Sequence, residues 1–175
     1  MQQLPLGVRI ADRAVFESFL AARNLQALEH TVRVASGAAP GLTWICGPRS
    51  AGKTHLLQAT CARASETGAR AGYLPLAELA SLGVGVLEGL AQLECVCVDD
   101  IDGVAGELEW ERALFGMLRE TLEREGRAVV AAQAPPALLS WKLPDLGSRF
   151  SAAAIFQLRE LTESEQLEAM RLRAR

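Results

Sequence analysis

The sequence predicts an α/β domain in which helices cover both faces of a five-stranded parallel sheet. Short apolar runs alternate with longer amphipathic stretches along the 175 residues, and 50% of the residues are hydrophobic, which is enough to bury a core. Because helical stretches join successive strands, those strands are expected to be parallel. The apolar runs predict strands at residues 42–46, 71–76, 95–98, 128–132 and 153–158.

The amphipathic stretches predict the helices. Asn24 is expected to cap the first helix, and Thr162 and Glu165 have the spacing of a capping box at the start of the last. Three glycines weaken the third stretch, and a loop is expected through Pro144. The predicted helices cover residues 24–35, 53–67, 77–92, 107–125, 137–141 and 162–173.

Composition excludes several classes of protein. The net charge of −3 includes no basic stripe, so strong autonomous DNA binding is not expected. No stretch approaches the roughly 18 apolar residues of a membrane span, and no signal sequence begins the chain, so we expect a cytoplasmic protein. The cysteines lack zinc-site spacing and are interpreted as reduced core residues: Cys46, Cys61, Cys95 and Cys97.

A phosphate-binding loop follows the first predicted strand. Residues 47–54 read GPRSAGKT and fit the pattern G-x-x-x-x-G-K-[ST] at every defined position, between a strand and a helix. Backbone N–H groups of such a loop surround an oxyanion, the lysine reaches the β and γ phosphates, and the threonine hydroxyl ligates Mg²⁺. The predicted binding residues for ATP or ADP are Gly47, Pro48, Arg49, Ser50, Ala51, Gly52, Lys53, Thr54 and His55.

Two carboxylates end the third predicted strand. Asp99 is expected to hold Mg²⁺ together with Thr54, and Asp100 is expected to act as the general base towards water. Read alone, two such acids are also typical of a solvated turn. After the fourth strand, Gln133 is the one polar candidate for sensing the γ-phosphate, and a plain surface role is an equal alternative for it.

Further motifs occur along nearly the whole chain. They are FESF at 16–19, GKTHLL at 52–57, GYLPL at 72–76, VDDI at 98–101, PP at 135–136 and LPDLGSRF at 143–150. Together they resemble the AAA+ P-loop domain of the bacterial replication initiator DnaA, and more closely its shorter regulatory homologue Hda. The resemblance implies a tail at 1–7, an AAA+ core at 8–160 and the start of a helical lid at 161–175, where the fold is expected to be truncated.

The resemblance also implies partners. Arg149, within LPDLGSRF, looks like the family's trans-acting arginine finger, which reaches the nucleotide of a neighbouring subunit of DnaA or of a homo-oligomer; a surface arginine paired with Asp145 is the alternative. The tail is similar to peptides that dock on the DNA polymerase III sliding clamp, although alone it would be a disordered terminus. Its residues are Gln3, Leu4, Pro5 and Leu6.

One departure from the family pattern affects the expected activity. The family carries a small polar residue, an acid and an arginine before the two prolines, whereas this chain has Ala132, Gln133 and Ala134. Weak turnover is therefore expected, and the chain is interpreted as an activator of a partner's ATPase rather than a fast ATPase. The resulting hypothesis is a negative regulator of replication initiation, with a helicase-loader module and a stand-alone ATPase as alternatives.

Overall fold

Five parallel strands form one sheet in the computed structural model, which describes residues 14–175. The strands are β1 (Gly41–Cys46), β2 (Ala71–Pro75), β3 (Cys95–Asp99), β4 (Arg127–Ala132) and β5 (Ala154–Gln157). Their order across the sheet is β2-β3-β4-β1-β5, and every pairing is parallel. The prediction of a five-stranded parallel sheet is confirmed.

Helices cover both faces of this sheet. Side chains alternate along β1, so that Trp44 and Cys46 enter one core while Ile45 enters the other. The helices are α1 (Leu25–Ala35), α2 (Lys53–Glu66), α3 (Leu76–Leu79), α4 (Leu108–Glu123), α5 (Pro144–Ser151) and α6 (Glu163–Arg173). The core that contains Trp44 lies under α4 and α5, and the core that contains Ile45 lies under α1 and α2.

The predicted third helix at residues 77–92 is wrong. The segment contains α3 followed by three short 3-10 turns, Ala80–Leu82, Val84–Leu87 and Leu90–Gln92. Gly83 and Gly89 interrupt it because their φ angles of +83° and +78° lie in the left-handed region. Apolar spacing alone therefore predicted a helix that is too long, because α3 ends at Leu79.

The predicted loop through Pro144 is also wrong, because α5 begins at that residue. Proline suits the first turn of a helix, since it lacks only an N–H that would have no partner there. The helix predicted at 137–141 is reduced to a single 3-10 turn, Pro136–Leu138. Consequently Arg149 lies in a helix, one residue before the buried Phe150.

The two predicted helix caps have different outcomes. At α6 the capping box is present: the Thr162 hydroxyl accepts from the Glu165 N–H, and the Glu165 carboxylate accepts from the Thr162 N–H. Asn24 precedes α1, but its side chain does not cap that helix. It instead pairs with the backbone N–H and carbonyl of Arg159, at 2.8 and 2.9 Å. This pair joins the start of α1 to the segment between β5 and α6.

The four cysteines are free and buried, as predicted. Burial raises the pKa of the Cys61 thiol to about 11, so this group is a small core hydrophobe at neutral pH. Within residues 14–175, no helix is long and apolar enough to span a bilayer.

Candidate functional site

The loop between β1 and α2 has the backbone that its glycines predict. Ser50 and Gly52 have left-handed φ angles of +65° and +101°, and the Ala51 N–H donates to the Pro48 carbonyl. A Cβ on Gly52 would lie 2.8 Å from Cε2 of Phe19, and one on Gly47 would lie 2.9 Å from a backbone carbonyl. Glycine is therefore required at both positions, and the loop curls in front of the first turn of α2.

Lys53 folds back over this loop. Its Nζ donates to the carbonyls of Gly47 and Pro48, at 2.7 and 2.6 Å, and the residue is only 8% exposed. Burial lowers the pKa of the ammonium, and the negative charges of nearby carboxylates, Asp99 first among them, oppose that shift. The ammonium thus lies inside the concave loop, where it can meet the phosphates of a nucleotide.

Asp99 connects three elements at the carboxyl end of β3. Its Oδ2 accepts hydrogen bonds from the Thr54 hydroxyl at 2.6 Å and from the Tyr73 hydroxyl at 2.8 Å, and its Oδ1 accepts from the Asp100 N–H. The residue is 1% exposed. A carboxylate and a hydroxyl oxygen side by side are the hard ligands that Mg²⁺ prefers, so these residues fit the predicted metal site.

Asp100 has an unusual backbone for a non-glycine residue. Its φ and ψ of +57° and +42° are left-handed, a conformation that is often found at functional sites. Burial raises the pKa of its carboxyl, and the neighbouring charges of Asp99 and Asp102 add to the shift, while Lys53 and Arg49 oppose it. A carboxyl with a raised pKa beside the phosphate loop suits a general base.

Lys53, Thr54 and Asp100 line a cleft of about 610 Å³, a size typical of a small-molecule site. Asp100 and Gln133 follow β3 and β4 and form one end, whereas Ala14, His55 and Arg173 lie towards the N-terminal segment and α6. Gln133 is exposed, and its backbone N–H donates to Asp102. The lining residues are Ala14, Arg49, Ser50, Gly52, Lys53, Thr54, His55, Gln58, Ala77, Asp100, Gln133 and Arg173.

Arg149, the predicted arginine finger, lies outside this cleft, on α5. Within residues 14–175 the lining of the cleft does not include it, and its guanidinium carbon is instead 5.1 Å from the ring centroid of Phe115 in α4. The next residue, Phe150, packs against Trp44 of β1, with the ring centroids 4.9 Å apart. Arg149 is therefore half-buried beside α4 and is not part of the lining of the chain's own cleft.

Several solved structures share this fold. No protein-family model matches the sequence. Domain III of the Thermotoga maritima replication initiation protein DnaA superposes with a TM-score of 0.80 at 22% identity, covering 94% of this chain and 74% of that one. A replication initiator DnaA bound to AMPPCP and single-stranded DNA gives 0.79 at 22% identity, covering 95% of this chain and 58% of that one.

This chain has the AAA+ fold. The DnaC helicase loader shares it more distantly, with a TM-score of 0.58 at 17% identity over 83% of this chain and 97% of that one. The structural neighbours of this chain thus include replication initiators and helicase loaders. The chain spans a little over half of the length of three initiator structures, namely 53%, 58% and 54%.

Sequence reasoning missed two residues at or beside the cleft, Tyr73 and Arg173. Tyr73 occurs within the GYLPL stretch, but only the structure shows that its hydroxyl reaches Asp99. Arg173 lies in a separate helix, more than a hundred residues after the phosphate loop, so no local pattern connects the two. The Arg-rich end of the last helix was the one available signal.

His55 has a role that the motif did not predict. Its Nε2 is 2.7 Å from the Val15 carbonyl and 3.3 Å from the Ser18 hydroxyl, and its ring meets Phe19 edge-on at 5.4 Å. The side chain therefore holds the N-terminal segment against α2. The predicted clamp-binding residues, Gln3 to Leu6, lie outside the described residues.

Proposed function

We propose that this chain binds an adenine nucleotide in the phosphate-loop cleft and regulates the initiation of bacterial replication. The observation that carries nucleotide binding is the meeting of Thr54 and Asp99 at 2.6 Å beside the buried ammonium of Lys53. A phosphate needs a cation and N–H donors, and its magnesium needs oxygen ligands, so the cleft offers what both require.

The chain's own residues divide the chemistry between them. Lys53 and the loop N–H groups bind the phosphates and set their position. Thr54 and Asp99 would hold Mg²⁺, which neutralises phosphate charge when it is bound. Asp100 would orient a water molecule and accept its proton as the water oxygen bonds to the γ-phosphorus. The bond from that phosphorus to the oxygen bridging the β and γ phosphates breaks at the same time, and ADP and phosphate are released. Gln133, at the same end of the cleft, is proposed to hydrogen-bond the γ-phosphate or this water.

The regulatory part of the proposal concerns Arg149. This arginine lies on α5 and does not line the chain's own cleft, so it would not contact a nucleotide bound there. It could instead contact a nucleotide that is bound to a neighbouring protein. We propose that it stabilises the charge that develops on ATP bound to DnaA, as an arginine finger does. The initiator would then be left in its ADP form, and initiation would be held back.

The sliding clamp completes this proposal. Gln3, Leu4, Pro5 and Leu6 resemble a clamp-binding peptide and precede the segment that His55 holds against α2. Docking of the peptide in a groove on the clamp would bring Arg149 to initiators at the replication machinery in the cytoplasm.

Nucleotide binding is tested first, because the rest depends on it. A fluorescent ADP analogue should bind the wild-type protein saturably below millimolar concentration, and Lys53→Ala should abolish that binding while leaving the unfolding temperature nearly unchanged. Absence of a saturable site in the wild type rejects the whole proposal.

Regulation is tested by measuring ATP hydrolysis by DnaA with this protein, the clamp and DNA present. Wild type should accelerate hydrolysis, and Arg149→Ala should remove the acceleration while still binding ADP. Arg112→Ala, at an exposed arginine of α4, is the matched control and should retain the acceleration. Acceleration that survives in Arg149→Ala rejects the finger.

A helicase-loader function is the second candidate, since the DnaC helicase loader superposes over 97% of its length. Purification of the wild-type protein together with its partners, followed by the DnaA hydrolysis assay, distinguishes the loader from the regulator. Co-purification with a ring helicase, without any effect on DnaA hydrolysis, would favour the loader.

A further inference from the structure

We propose that Arg173, at the end of α6, contacts the nucleoside part of the bound nucleotide. This inference rests on the proposed nucleotide binding and extends it to a residue outside the phosphate loop. Arg173 lines the same cleft as Lys53 and Thr54, although it comes from the last helix of the chain.

The position of Arg173 on α6 directs it towards the domain. Ala169 is the buried residue of this helix, at 6% exposure, and Arg173 follows it by four positions, so the two share one helical face. Arg171 follows Ala169 by two positions and therefore lies on the opposite face. Both arginines are exposed, but Arg173 is the one on the face of α6 that meets the domain, and it lines the cleft.

Contacts just before and within its first turn hold α6 in this place. Arg23 forms an ion pair with Glu165 at 3.4 Å and also donates to the Glu160 carbonyl. Asn24 forms two hydrogen bonds with the backbone of Arg159. The helix also contacts the turn Phe16–Ser18, which His55 reaches from α2. Arg173 is therefore held near the phosphate loop by contacts that span the domain.

The end of the cleft that Arg173 occupies follows from the lining. Lys53 and Thr54 mark the β and γ phosphates, and Asp100 and Gln133 lie beyond them at the strand ends. Arg173 groups instead with Ala14 and His55, since α6 contacts the turn Phe16–Ser18 and the His55 ring reaches the same segment. In the proposal, the ribose and base extend towards this side of the cleft. Its positive charge contributes to lowering the pKa of His55, after the larger effect of burial, which places the guanidinium close to that ring.

A guanidinium at this place suits a purine nucleoside. Its planar face stacks on aromatic rings, and its five N–H groups can reach ring nitrogens and ribose hydroxyls. An exposed stacking contact of this kind changes affinity by about twofold to fivefold. Nucleotide binding would then also fix α6, because the ligand joins the helix to the loop.

The experiment measures the affinity for ADP and for inorganic pyrophosphate, the latter by competition, in the full chain. Arg173→Ala should weaken ADP binding by about twofold to fivefold and leave pyrophosphate binding unchanged. Arg173→Lys, which keeps the charge but loses the planar face, should retain only part of the ADP affinity. Arg171→Ala is the matched control and should behave as wild type towards both ligands.

Each outcome separates this inference from the proposed function. If wild type binds neither ligand, nucleotide binding itself fails. If wild type binds ADP and Arg173→Ala binds it equally well, only the role of Arg173 is rejected. Equal weakening of ADP and pyrophosphate also overturns the inference, because it would show an effect on the phosphate site rather than on the nucleoside. A second measurement supports the first: ADP should slow tryptic cleavage after Arg173 in wild type.

Discussion

Thr54 and Tyr73 donate to the same oxygen, Oδ2 of Asp99, at 2.6 and 2.8 Å. One buried carboxylate oxygen therefore joins the first turn of α2 to β2 and β3. The strong burial of Asp99 leaves little room for it to turn towards solvent, since the residue is 1% exposed. The two hydroxyls thus hold the carboxylate towards the phosphate loop before any metal arrives.

Asp99→Asn tests this arrangement with little change in volume. The amide is a weaker ligand for Mg²⁺ than a carboxylate, so Mg²⁺ should no longer strengthen ATP binding, while binding in EDTA should stay close to wild type. The measurement is the ratio of dissociation constants with and without Mg²⁺. Tyr73→Phe is the control: it keeps the carboxylate, should retain most of the Mg²⁺ effect, and should cost about 1 kcal/mol of stability. An unchanged ratio in Asp99→Asn would rule out the metal role.

The phosphate loop and the acidic strand end were predictable because their chemistry is local in sequence. A loop of eight residues contains both glycines and the lysine, and Asp99 directly follows an apolar run. Spacing within one segment is enough to identify such groups. The sheet followed for the same reason, since each strand is a short apolar run between turn residues.

Contacts between distant segments were not predictable. Arg173 reaches the cleft only because Arg23 and Asn24 place α6 against the core, and nothing in the local sequence shows this. Helix α5 was missed for another reason: Pro144 is a loop signal and a first-turn residue alike, and tertiary packing decides between the two.

Two glycines of the domain should respond in opposite ways to alanine. At Gly52 the φ of +101° and the 2.8 Å approach of a Cβ to the Phe19 ring make the substitution strained. Gly52→Ala should destabilise the fold by about 1 kcal/mol or more and weaken ADP binding. Gly116 lies inside α4 with no heavy atom within 4 Å of its Cβ position, so Gly116→Ala should stabilise by about 0.5–1 kcal/mol.

Urea unfolding of both variants checks this pair, with ADP binding measured alongside. Gly116→Ala should keep the wild-type affinity, because α4 lies away from the phosphate loop. Stabilisation by both substitutions would contradict the left-handed geometry of the loop.

Glu111 should be essential for the stability of the segment before α5. Its carboxylate is fully buried and accepts from the N–H groups of Gly106, Lys142 and Leu143, at 2.6, 3.2 and 2.7 Å. Glu111→Leu leaves these three donors without an acceptor and should cost about 3 kcal/mol in urea unfolding. Glu109→Leu, at an exposed position of the same helix, should stay within about 0.5 kcal/mol of wild type.

Glu111→Gln extends this test to α5. It keeps one acceptor oxygen but turns an N–H₂ group towards backbone donors, so its loss of stability should be smaller than that of Glu111→Leu. Since Leu143 immediately precedes α5, this variant should also weaken the acceleration of DnaA hydrolysis that is proposed for Arg149. A Glu111→Leu protein as stable as wild type would contradict the role of the buried carboxylate.

The burial of two histidines makes the free energy of unfolding depend on pH. Burial lowers the pKa of His55 below 6.5, opposed by the hydrogen bond to Val15 and assisted by the charge of Arg173, and it lowers that of His30 as well. Between each folded pKa and 6.5 the unfolded chain binds the proton and the folded chain does not. The free energy of unfolding therefore rises with pH in this window. The stability that each neutral ring contributes is complete above pH 6.5 and is lost as the pH falls from 6.5 to the folded pKa.

His55→Gln isolates one of these contributions, because glutamine does not titrate and can still donate to the Val15 carbonyl. One histidine contributes at most about 1.4 kcal/mol per pH unit. Urea unfolding at pH 5.5, 6.5 and 7.5 should show a smaller loss of stability on acidification for His55→Gln than for wild type. His30→Gln should reduce the loss independently, since the two rings lie in different parts of the domain, His30 against Phe156 and His55 against Phe19. An identical pH slope in wild type and His55→Gln would mean that the His55 ring is protonated equally in both states, which is incompatible with a buried, neutral ring that holds the N-terminal segment to α2.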